Sequence, residues 1–266
     1  MKLYRLALLF LCFLPFYAWP SDTIGASSKL IHTQWYSHAE RIYRFVDIYI
    51  PAACQEKADD DSSDGYFPVL YLLHGMGGYE GSWQEMAGAF DTLETLIASG
   101  KCPPVILVMP DCNRWPNTSR PSYHNRTLWP TMLRYPILIH EHKVEHALSD
   151  LIDMIDTTFC VSSCAVAGLS DGARMSINIA NTRPDRIRKV ALFSPVWHRD
   201  QIPQDSTQIY YIYAGEKDYF YSYGVRLLHY LERTNQPHHW VVFPWRHIWP
   251  MWCLSLSHFL QCMGEE

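Results

Sequence analysis

A serine flanked by two glycines is the feature of this sequence that most directly suggests chemistry, in the segment Gly168-Leu169-Ser170-Asp171-Gly172. A short apolar run at 164–167 precedes it, and residues 173–181 carry apolar side chains at helical spacing. This context predicts a sharp turn between a buried strand and a helix, with the Ser170 hydroxyl exposed above the strand. Glycines relieve crowding where the backbone turns tightly, so their positions fit that geometry. Gly-x-Ser-x-Gly also occurs in ordinary turns, so a nucleophile needs further partners.

A base and an acid for this serine lie further along the chain. A serine hydroxyl is a weak nucleophile at neutral pH, so it needs a base within hydrogen-bonding reach and a carboxylate that orients the base. Asp218 follows a predicted strand at 209–213, and His247 follows the next predicted strand at 240–243. We therefore predict that Ser170 is the nucleophile, His247 the general base and acid, and Asp218 the orienting acid. The alternatives are the acid Glu216 and the bases His198, His229, His238, His239 and His258.

The loop after another predicted strand is suited to the negative charge that develops during acyl transfer. His74-Gly75-Met76-Gly77-Gly78 directly follows the apolar run at 70–73. Backbone amides aimed at a developing oxyanion stabilise the transition state, each by roughly 3 kcal/mol. We predict that the N–H groups of Met76 and Asp171 form this oxyanion hole. The Asp171 side chain puts an acid beside the nucleophile, which would oppose the oxyanion unless the carboxylate points away.

These residues need a scaffold that brings several loops to one edge of a sheet. Residues 31–37 and 43–50 alternate apolar and polar side chains, as half-buried antiparallel strands do. Apolar runs predict central parallel strands, which lie at 67–73, 105–109, 190–193, 209–213 and 240–243. Helical spacing recurs between them, at 83–99 and 145–159. The fold class is therefore α/β, with a mostly parallel sheet, antiparallel strands at its N-terminal edge and helices on both faces. Ligands of such sheets bind at the carboxyl ends of the strands.

Two segments without periodicity are predicted to be loops. The acidic stretch at 55–65 indicates an exposed connector. The stretch at 111–139 is rich in proline, aromatic residues and arginine, and a long irregular segment within a domain usually forms a lid or a binding wall.

Aromatic rings near strand ends are suited to stacking on a sugar or an aromatic acyl group. The predicted substrate-binding residues are Trp115, Trp129, Trp197, Tyr219 and Trp249. For Trp249, packing as core beneath the histidine loop is an equal alternative.

Taken in order, these motifs resemble those of the putative esterase family, which includes esterase D, feruloyl and acetylxylan esterases, enterochelin esterases and mycolyltransferases. The similar segments are 69–75 with Trp83, 105–111, 168–172, 215–218 and a His-x-Trp-x-x-Trp pattern at 247–252. The resemblance spans roughly residues 31–260. The chain departs from the family at Asp171 and Ala173, and at Arg246, which replaces the usual glycine before the histidine.

The resemblance implies an α/β-hydrolase fold and a serine ester hydrolase that acts through an acyl-enzyme without a cofactor. It implies a small-molecule or carbohydrate ester as substrate, with acetyl or feruloyl acyl groups favoured. An acyltransferase of the mycolyltransferase type and an inactive binding domain of the same fold are the alternatives. The stretch at 140–142 with His146 is similar to a metal-ligand cluster, but no compatible third ligand motif accompanies it, so no metal is predicted.

The chain begins with a predicted export signal. Lys2 and Arg5 precede an apolar stretch at 6–13, which is too short for a comfortable membrane span. We expect residues 1–20 to be a signal peptide, residues 21–266 to form a single domain, and the protein to be secreted or periplasmic. A formal net charge of −5 without a basic block gives no support for nucleic-acid binding or for membrane contact beyond the leader.

Export also bears on the cysteines of the chain, eight in number, of which Cys12 lies in the leader. Disulfides form in oxidising compartments, so we expect some of the remaining thiols to pair. The candidate pairs flank a predicted strand, a tight turn and the C-terminal region, and are Cys102 with Cys112, Cys160 with Cys164, and Cys253 with Cys262. Since seven is odd, one cysteine must remain unpaired.

Overall fold

One mixed sheet forms the centre of the fold. The computed structural model describes residues 28–59, 66–113, 141–197 and 203–265. Within these ranges the strands are β1 (Lys29–Ser37), β2 (Ile42–Ile50), β3 (Phe67–Leu73), β4 (Ile106–Pro110), β5 (Val161–Leu169), β6 (Ile187–Phe193), β7 (Ile209–Gly215) and β8 (His238–Phe243). They pair in the order β1-β2-β4-β3-β5-β6-β7-β8, with β1–β2 and β2–β4 antiparallel and the other neighbours parallel. The predicted mostly parallel sheet with an antiparallel N-terminal edge is confirmed.

Helices cover both faces of this sheet. They are α1 (Ala52–Asp59), α2 (Ser82–Ala87), α3 (Ala89–Ala98), α4 (Glu141–Thr158), α5 (Asp171–Thr182), α6 (Tyr221–Arg233) and α7 (Trp249–Gln261). One apolar cluster joins α4, α5 and α6 to one face, and a second joins α3 and α7 to the other. Strand β3 alternates accordingly, with Val69, Tyr71 and Leu73 in the first cluster and Leu70 and Leu72 in the second. Within the described residues, no helix is both long and apolar enough to cross a membrane.

The helix predicted at 83–99 is interrupted at Gly88. This residue has a left-handed backbone, with φ of 57° and ψ of 44°, and its N–H donates to the Gln84 carbonyl. Glycine adopts that conformation without a steric penalty, so it caps and ends α2. Helix α3 begins at the next residue and packs Phe90 and Leu93 into the second cluster. The single predicted helix is therefore two helices in the structure.

The connector predicted at 55–65 begins inside a helix. Helix α1 starts directly after Pro51, and the side chain of Cys54 is buried in the first apolar cluster. Alanine, glutamine, glutamate and lysine in this stretch are good helix formers, and their propensity outweighs the acidic composition that suggested a loop. The loop prediction is wrong as far as Asp59, and residues 60–65 lie outside the described ranges.

The expectation of disulfides is also corrected, because every cysteine that the structure describes is a free thiol. Regular structure separates each candidate pair. Strand β4 lies between Cys102 and Cys112, the extended start of β5 lies between Cys160 and Cys164, and the later turns of α7 lie between Cys253 and Cys262. In each case the intervening regular structure spans roughly 13 Å by its rise per residue, whereas bridged cysteines have Cα atoms less than about 7 Å apart.

Candidate active site

Ser170 occupies a strained turn between β5 and α5. Its φ of 53° and ψ of −112° lie where residues with a side chain are rarely found. A Cβ atom added to Gly168 would lie 2.3 Å from the backbone of Gly172, and one added to Gly172 would lie 2.5 Å from the His74 carbonyl oxygen. Both glycines are therefore required by backbone contacts on either side of the serine. The Ser170 N–H donates to the Phe193 carbonyl at 2.8 Å, which ties the turn to β6.

The loop that follows β3 passes beside this turn. A Cβ atom added to Gly75 would lie 2.5 Å from a methyl group of Leu169 and 3.5 Å from the Ser170 Cβ. The Gly78 N–H donates to the Gly75 carbonyl at 3.0 Å, and Gly77 between them has a φ of 79°. A turn of this kind favours glycine at its third position. The structure thus brings the loop that contains Met76 against the Ser170 turn, with the Met76 side chain exposed.

Two buried side chains, those of His74 and Asn113, hold that loop in place. No role was predicted for either of them from the sequence. The His74 ring lies between the Gly75 carbonyl, 2.7 Å from Nδ1, and the Cys112 N–H, which donates to Nε2 at 3.0 Å. The Asn113 side-chain amide donates to the Gly78 carbonyl at 2.6 Å. Cys112 and Asn113 both belong to the segment directly after β4. The only sequence signal for these contacts is the presence of polar residues at the carboxyl ends of adjacent strands.

Asp218 and His247 are in direct contact. His247 Nδ1 lies 2.9 Å from Asp218 Oδ2, and the Phe220 N–H donates to Oδ1 at 2.8 Å. The Asp218 side chain is only 1% exposed. Burial alone raises the pKa of this carboxyl, but hydrogen bonds from His247, Ser194 and the Phe220 amide outweigh burial, so the pKa lies below its usual value. The carboxylate is therefore ionised at neutral pH. Glu216, the alternative acid, is exposed to solvent.

Backbone contacts bring the two loops of this pair together. Strands β7 and β8 are parallel neighbours, so their carboxyl ends lie side by side. The Lys217 N–H donates to the Trp245 carbonyl at 3.0 Å, and the Glu216 N–H donates to the Phe243 carbonyl at 2.8 Å. A Cβ atom added to Gly215 would lie 2.5 Å from the Trp245 carbonyl oxygen, so glycine is needed for this approach. The loop of the acid and the loop of the histidine therefore form one unit.

Asp171, the acid that follows Ser170, has a cationic partner. Asp171 Oδ1 lies 2.8 Å from Arg174 Nε, three residues later in α5. The Arg174 side chain is 6% exposed, so water screens this ion pair only weakly. The negative charge of Asp171 is thus compensated locally. The Arg174 cation therefore reduces the repulsion that the Asp171 carboxylate would exert on an oxyanion at the predicted Asp171 N–H donor.

Only some of the predicted substrate-binding aromatic residues lie within the described residues. Tyr219 is 73% exposed, and its ring centroid lies 6.1 Å from that of His247. Trp249 packs edge-on against Trp83 at 5.4 Å, as in the core alternative stated for it. Trp197 is 5% exposed and packs near Tyr230 in the first apolar cluster, and its role in substrate binding stays a prediction. Trp115 and Trp129 lie outside the described residues, as does the segment 114–139 of the predicted lid.

Three of the alternative histidines have other partners. His258 Nδ1 lies 3.0 Å from the Tyr213 hydroxyl, His238 Nδ1 lies 2.8 Å from the Gln236 carbonyl, and the His239 ring stacks on Tyr211. His198 lies outside the described ranges.

In the described part of the chain, no group of three or more metal-ligating side chains is placed to hold an ion. His140 and the side chain of His142 lie outside that part.

Known esterases are similar to this chain in sequence. An endo-1,4-beta-xylanase/feruloyl esterase of Xylanibacter ruminicola is 29% identical over 153 residues, a match that covers 56% of this chain. The same match covers 19% of that relative, so the chain spans about a fifth of the relative's length.

Solved structures share the fold at low sequence identity. The CE1 ferulic acid esterase of Anaeromyces mucronatus, in complex with ferulic acid, superposes with a TM-score of 0.69 at 19% identity, covering 94% of each chain. The S-formylglutathione hydrolase of Staphylococcus aureus superposes with a TM-score of 0.67 at 15% identity, covering 90% of this chain and 99% of that one. At these identities the likeness shows that the fold is that of α/β-hydrolases.

Family membership follows from a match over more than half of the chain. The model of the family described as "Putative esterase" matches residues 46–245. That range contains the turn at Ser170 and the loop at Asp218, and it ends just before His247. The chain therefore belongs to the putative esterase family.

Proposed function

We propose that this protein is a serine carboxylic-ester hydrolase with Ser170 as nucleophile, His247 as general base and acid, and Asp218 as the orienting acid. The observation that carries the proposal is the 2.9 Å contact between His247 Nδ1 and Asp218 Oδ2. A buried carboxylate that holds an imidazole in one orientation is the arrangement that activates a serine hydroxyl. The strained backbone of Ser170, at the carboxyl end of a central strand, supports the same chemistry.

In the proposed acylation, His247 Nε2 accepts the hydroxyl proton while Ser170 Oγ attacks the ester carbonyl carbon. The electron pair of the carbonyl π bond moves to oxygen, and the N–H groups of Met76 and Asp171 donate to this oxyanion. Each such donor contributes roughly 3 kcal/mol to transition-state stabilisation. The C–O bond to the alcohol then breaks, and His247 gives its proton to the departing oxygen. The acyl group remains on the serine as an ester.

Water completes the proposed cycle. His247 removes a proton from a water molecule, whose oxygen adds to the acyl carbon and forms a second tetrahedral intermediate. When this intermediate collapses, the bond to Ser170 Oγ breaks, the serine recovers its proton from His247, and the carboxylic acid leaves. The cycle consumes one ester and one water molecule. In an acyltransferase, the hydroxyl of an acceptor would take the place of that water.

We further propose acetyl or feruloyl esters of carbohydrates as the substrate class. Support comes from the names of the similar proteins, two of which are a feruloyl esterase and a ferulic acid esterase. The exposed Tyr219 ring beside His247 offers an aromatic surface on which a flat acyl group or a sugar could stack. The leader at 1–20 supports secretion or a periplasmic location, with 21–266 as a single domain.

Ester hydrolysis by wild type and Ser170→Ala tests this proposal. On a panel of short-chain, acetylated-sugar and feruloylated-sugar esters, the variant should lose activity by on the order of 10⁴-fold or more. Ser176→Ala is the matched control, because Ser176 lies in α5, the helix that begins directly after Ser170, and its buried hydroxyl donates to the Gly172 carbonyl. It should keep the wild-type rate. Equal rates for wild type and Ser170→Ala on every ester would contradict the proposal, and acyl transfer to an added sugar would favour the acyltransferase.

A further inference from the structure

The His74 ring lies inside the loop that it begins. The residue is 2% exposed, and a Cβ atom added to Gly78 would lie 2.8 Å from the ring atom Nδ1. Nδ1 lies 2.7 Å from the Gly75 carbonyl oxygen, and Nε2 accepts the Cys112 N–H at 3.0 Å. A carbonyl oxygen can only accept a hydrogen bond, so Nδ1 carries the proton of that contact. The loop is therefore folded around a ring that donates to the loop's own backbone.

The carbonyl that this ring binds belongs to the same peptide group as the Met76 N–H, the proposed oxyanion donor. The peptide is trans, and the C=O and N–H bonds of a trans peptide lie in one plane and point in opposite directions. The Gly78 N–H also donates to the Gly75 oxygen, at 3.0 Å. Two donors thus fix the direction of the Gly75 carbonyl. They thereby fix the direction of the Met76 N–H, which points away from the buried His74 ring.

This peptide group begins beside the proposed nucleophile. A Cβ atom added to Gly75 would lie 3.5 Å from the Ser170 Cβ and 3.3 Å from the Leu169 carbonyl oxygen. Rotation of the peptide would move the Gly75 oxygen away from the His74 ring and from the Gly78 N–H, so it would break both hydrogen bonds. The Met76 N–H is therefore held in one direction next to Ser170 before any ester binds.

A buried network holds the far side of the His74 ring. The Arg44 side chain is 1% exposed, and its guanidinium donates to the Asp111 and Asn113 carbonyls at 3.1 and 2.7 Å. Asp111 Oδ1 lies 3.5 Å from His74 Nε2 and accepts the backbone N–H and the side-chain amide of Asn113 at 3.0 and 2.6 Å. Cys112, which donates to Nε2, lies between these two residues. The partner of Nε2 is therefore fixed by contacts on both sides.

We propose that His74 is a positioning residue for the oxyanion hole, because its Nδ1–H holds the Gly75 carbonyl and thereby directs the Met76 N–H toward the ester oxygen. This inference rests on the proposed function. The oxyanion forms in the tetrahedral transition state and is absent from the bound ester, so the effect of His74 falls on kcat more than on KM. A donor that is oriented in advance needs no reorganisation during the reaction.

His74→Asn and His74→Gln form a matched pair that tests the inference. Asparagine places an N–H two bonds from Cβ, at the position of Nδ1, whereas glutamine places its amide at the position of Nε2 and leaves the Gly75 carbonyl without this donor. His74→Gln should lower kcat by about 10- to 100-fold with KM nearly unchanged, because a small misplacement of a catalytic group has effects of this size. His74→Asn should retain most of the wild-type kcat. Equal kcat values for the two variants would overturn the inference.

Met76→Pro removes the proposed donor itself. Gly77, with a φ of 79°, occupies the third position of a turn of type II, whose second position favours proline, so the turn should survive the change. Met76→Pro should lower kcat by about 10²- to 10³-fold. Adding His74→Gln should lower kcat little further, because His74 acts through the N–H that is already gone. Losses that multiply in the double variant would show that His74 acts by another route and would overturn the inference.

Gln236→Leu is the control for the loss of a buried polar side chain. The Gln236 side-chain amide donates to the Asp205 and Gln208 carbonyls at 2.9 and 2.7 Å. Gln236 shortly precedes β8, so it lies at the amino ends of the strands, opposite the candidate site. Gln236→Leu should lower Tm and leave kcat unchanged. A fall in kcat as large as that of His74→Gln would assign both effects to general destabilisation and would overturn the inference.

A second readout does not depend on catalysis. In ¹⁵N NMR of the wild-type protein, the His74 Nδ1 should have the chemical shift of a protonated nitrogen. An unprotonated Nδ1 would overturn the inference even if wild type is an active esterase. If wild type hydrolyses no ester, the proposed function fails separately, and a protonated Nδ1 would still support the role of His74 in holding the Gly75 carbonyl.

Discussion

Asp218→Asn replaces one carboxylate oxygen with an amide nitrogen, yet it should lower kcat by about 10⁴-fold. One oxygen of Asp218 accepts the Phe220 N–H at 2.8 Å, and the other lies 2.9 Å from His247 Nδ1. An asparagine must keep its single oxygen toward the amide donor, so its NH₂ group faces the imidazole. His247 Nδ1 then has to accept a proton, and the neutral ring carries its own proton on Nε2. A protonated Nε2 cannot take the proton of a serine hydroxyl.

The expected loss corresponds to about 5 kcal/mol of transition-state stabilisation. Steady-state hydrolysis of a chromogenic acetyl ester measures it, and thermal unfolding of the same samples shows whether the variant is folded. Glu216→Gln is the matched control, because Glu216 is an exposed acid two residues away in the same loop. It should retain the wild-type kcat. A folded Asp218→Asn protein within tenfold of wild type, or a larger loss in Glu216→Gln, would refute the reasoning.

Three further predictions concern stability and charge near the serine. Gly172→Ala should lower Tm by roughly 3–10 °C, as measured by calorimetry, because the new Cβ would meet the His74 and Leu73 carbonyl oxygens at 2.5 and 2.7 Å; an unchanged Tm would contradict the tight crossing. Arg174→Met should lower kcat about tenfold by removing the positive charge that faces the Asp171 carboxylate at 2.8 Å, and adding Asp171→Asn should restore most of it; no recovery would exclude a charge effect. Folding lowers the pKa of Asp218 below 3.8, so its contribution to stability is present above that pH and is lost as pH falls through the folded-state value. Urea unfolding between about pH 5 and pH 3 should therefore show a steeper loss for wild type than for Asp218→Asn.

The sheet could be predicted because the amino-acid composition of its strands indicates how deeply each strand is buried. The segment Phe67–Leu73 is apolar throughout, and the structure covers it on both faces. The antiparallel strands Lys29–Ser37 and Ile42–Ile50 alternate apolar and polar residues in sequence, and Lys29–Ser37 is the less buried strand at the edge of the sheet. Where local preference and environment agree in this way, a single sequence is informative. Gly168 belongs to the same class, since it is required by an approach to Gly172 within the motif itself, whereas Gly172 is required by the His74 and Leu73 carbonyl groups at the end of β3.

Features set by tertiary contacts could not be predicted. Trp197 is an aromatic residue that follows a predicted strand, which suggested a binding loop. Its place in the first apolar cluster depends on the packing of Tyr230 in α6 beside it. Gly88 interrupts a helical pattern whose apolar periodicity continues across it. The roles of His74 and Asn113 depend on β3 and β4 being neighbours, which the chain order does not state.

The most direct test of the central claim is mass spectrometry of the protein after reaction with a fluorophosphonate probe, followed by peptide mapping. The account predicts one adduct per chain, located on Ser170 and absent in Ser170→Ala, with a much slower reaction in Asp218→Asn. A folded wild-type protein that forms no adduct, or that carries the adduct on another residue, would contradict the claim that Ser170 is the nucleophile activated by His247 and Asp218.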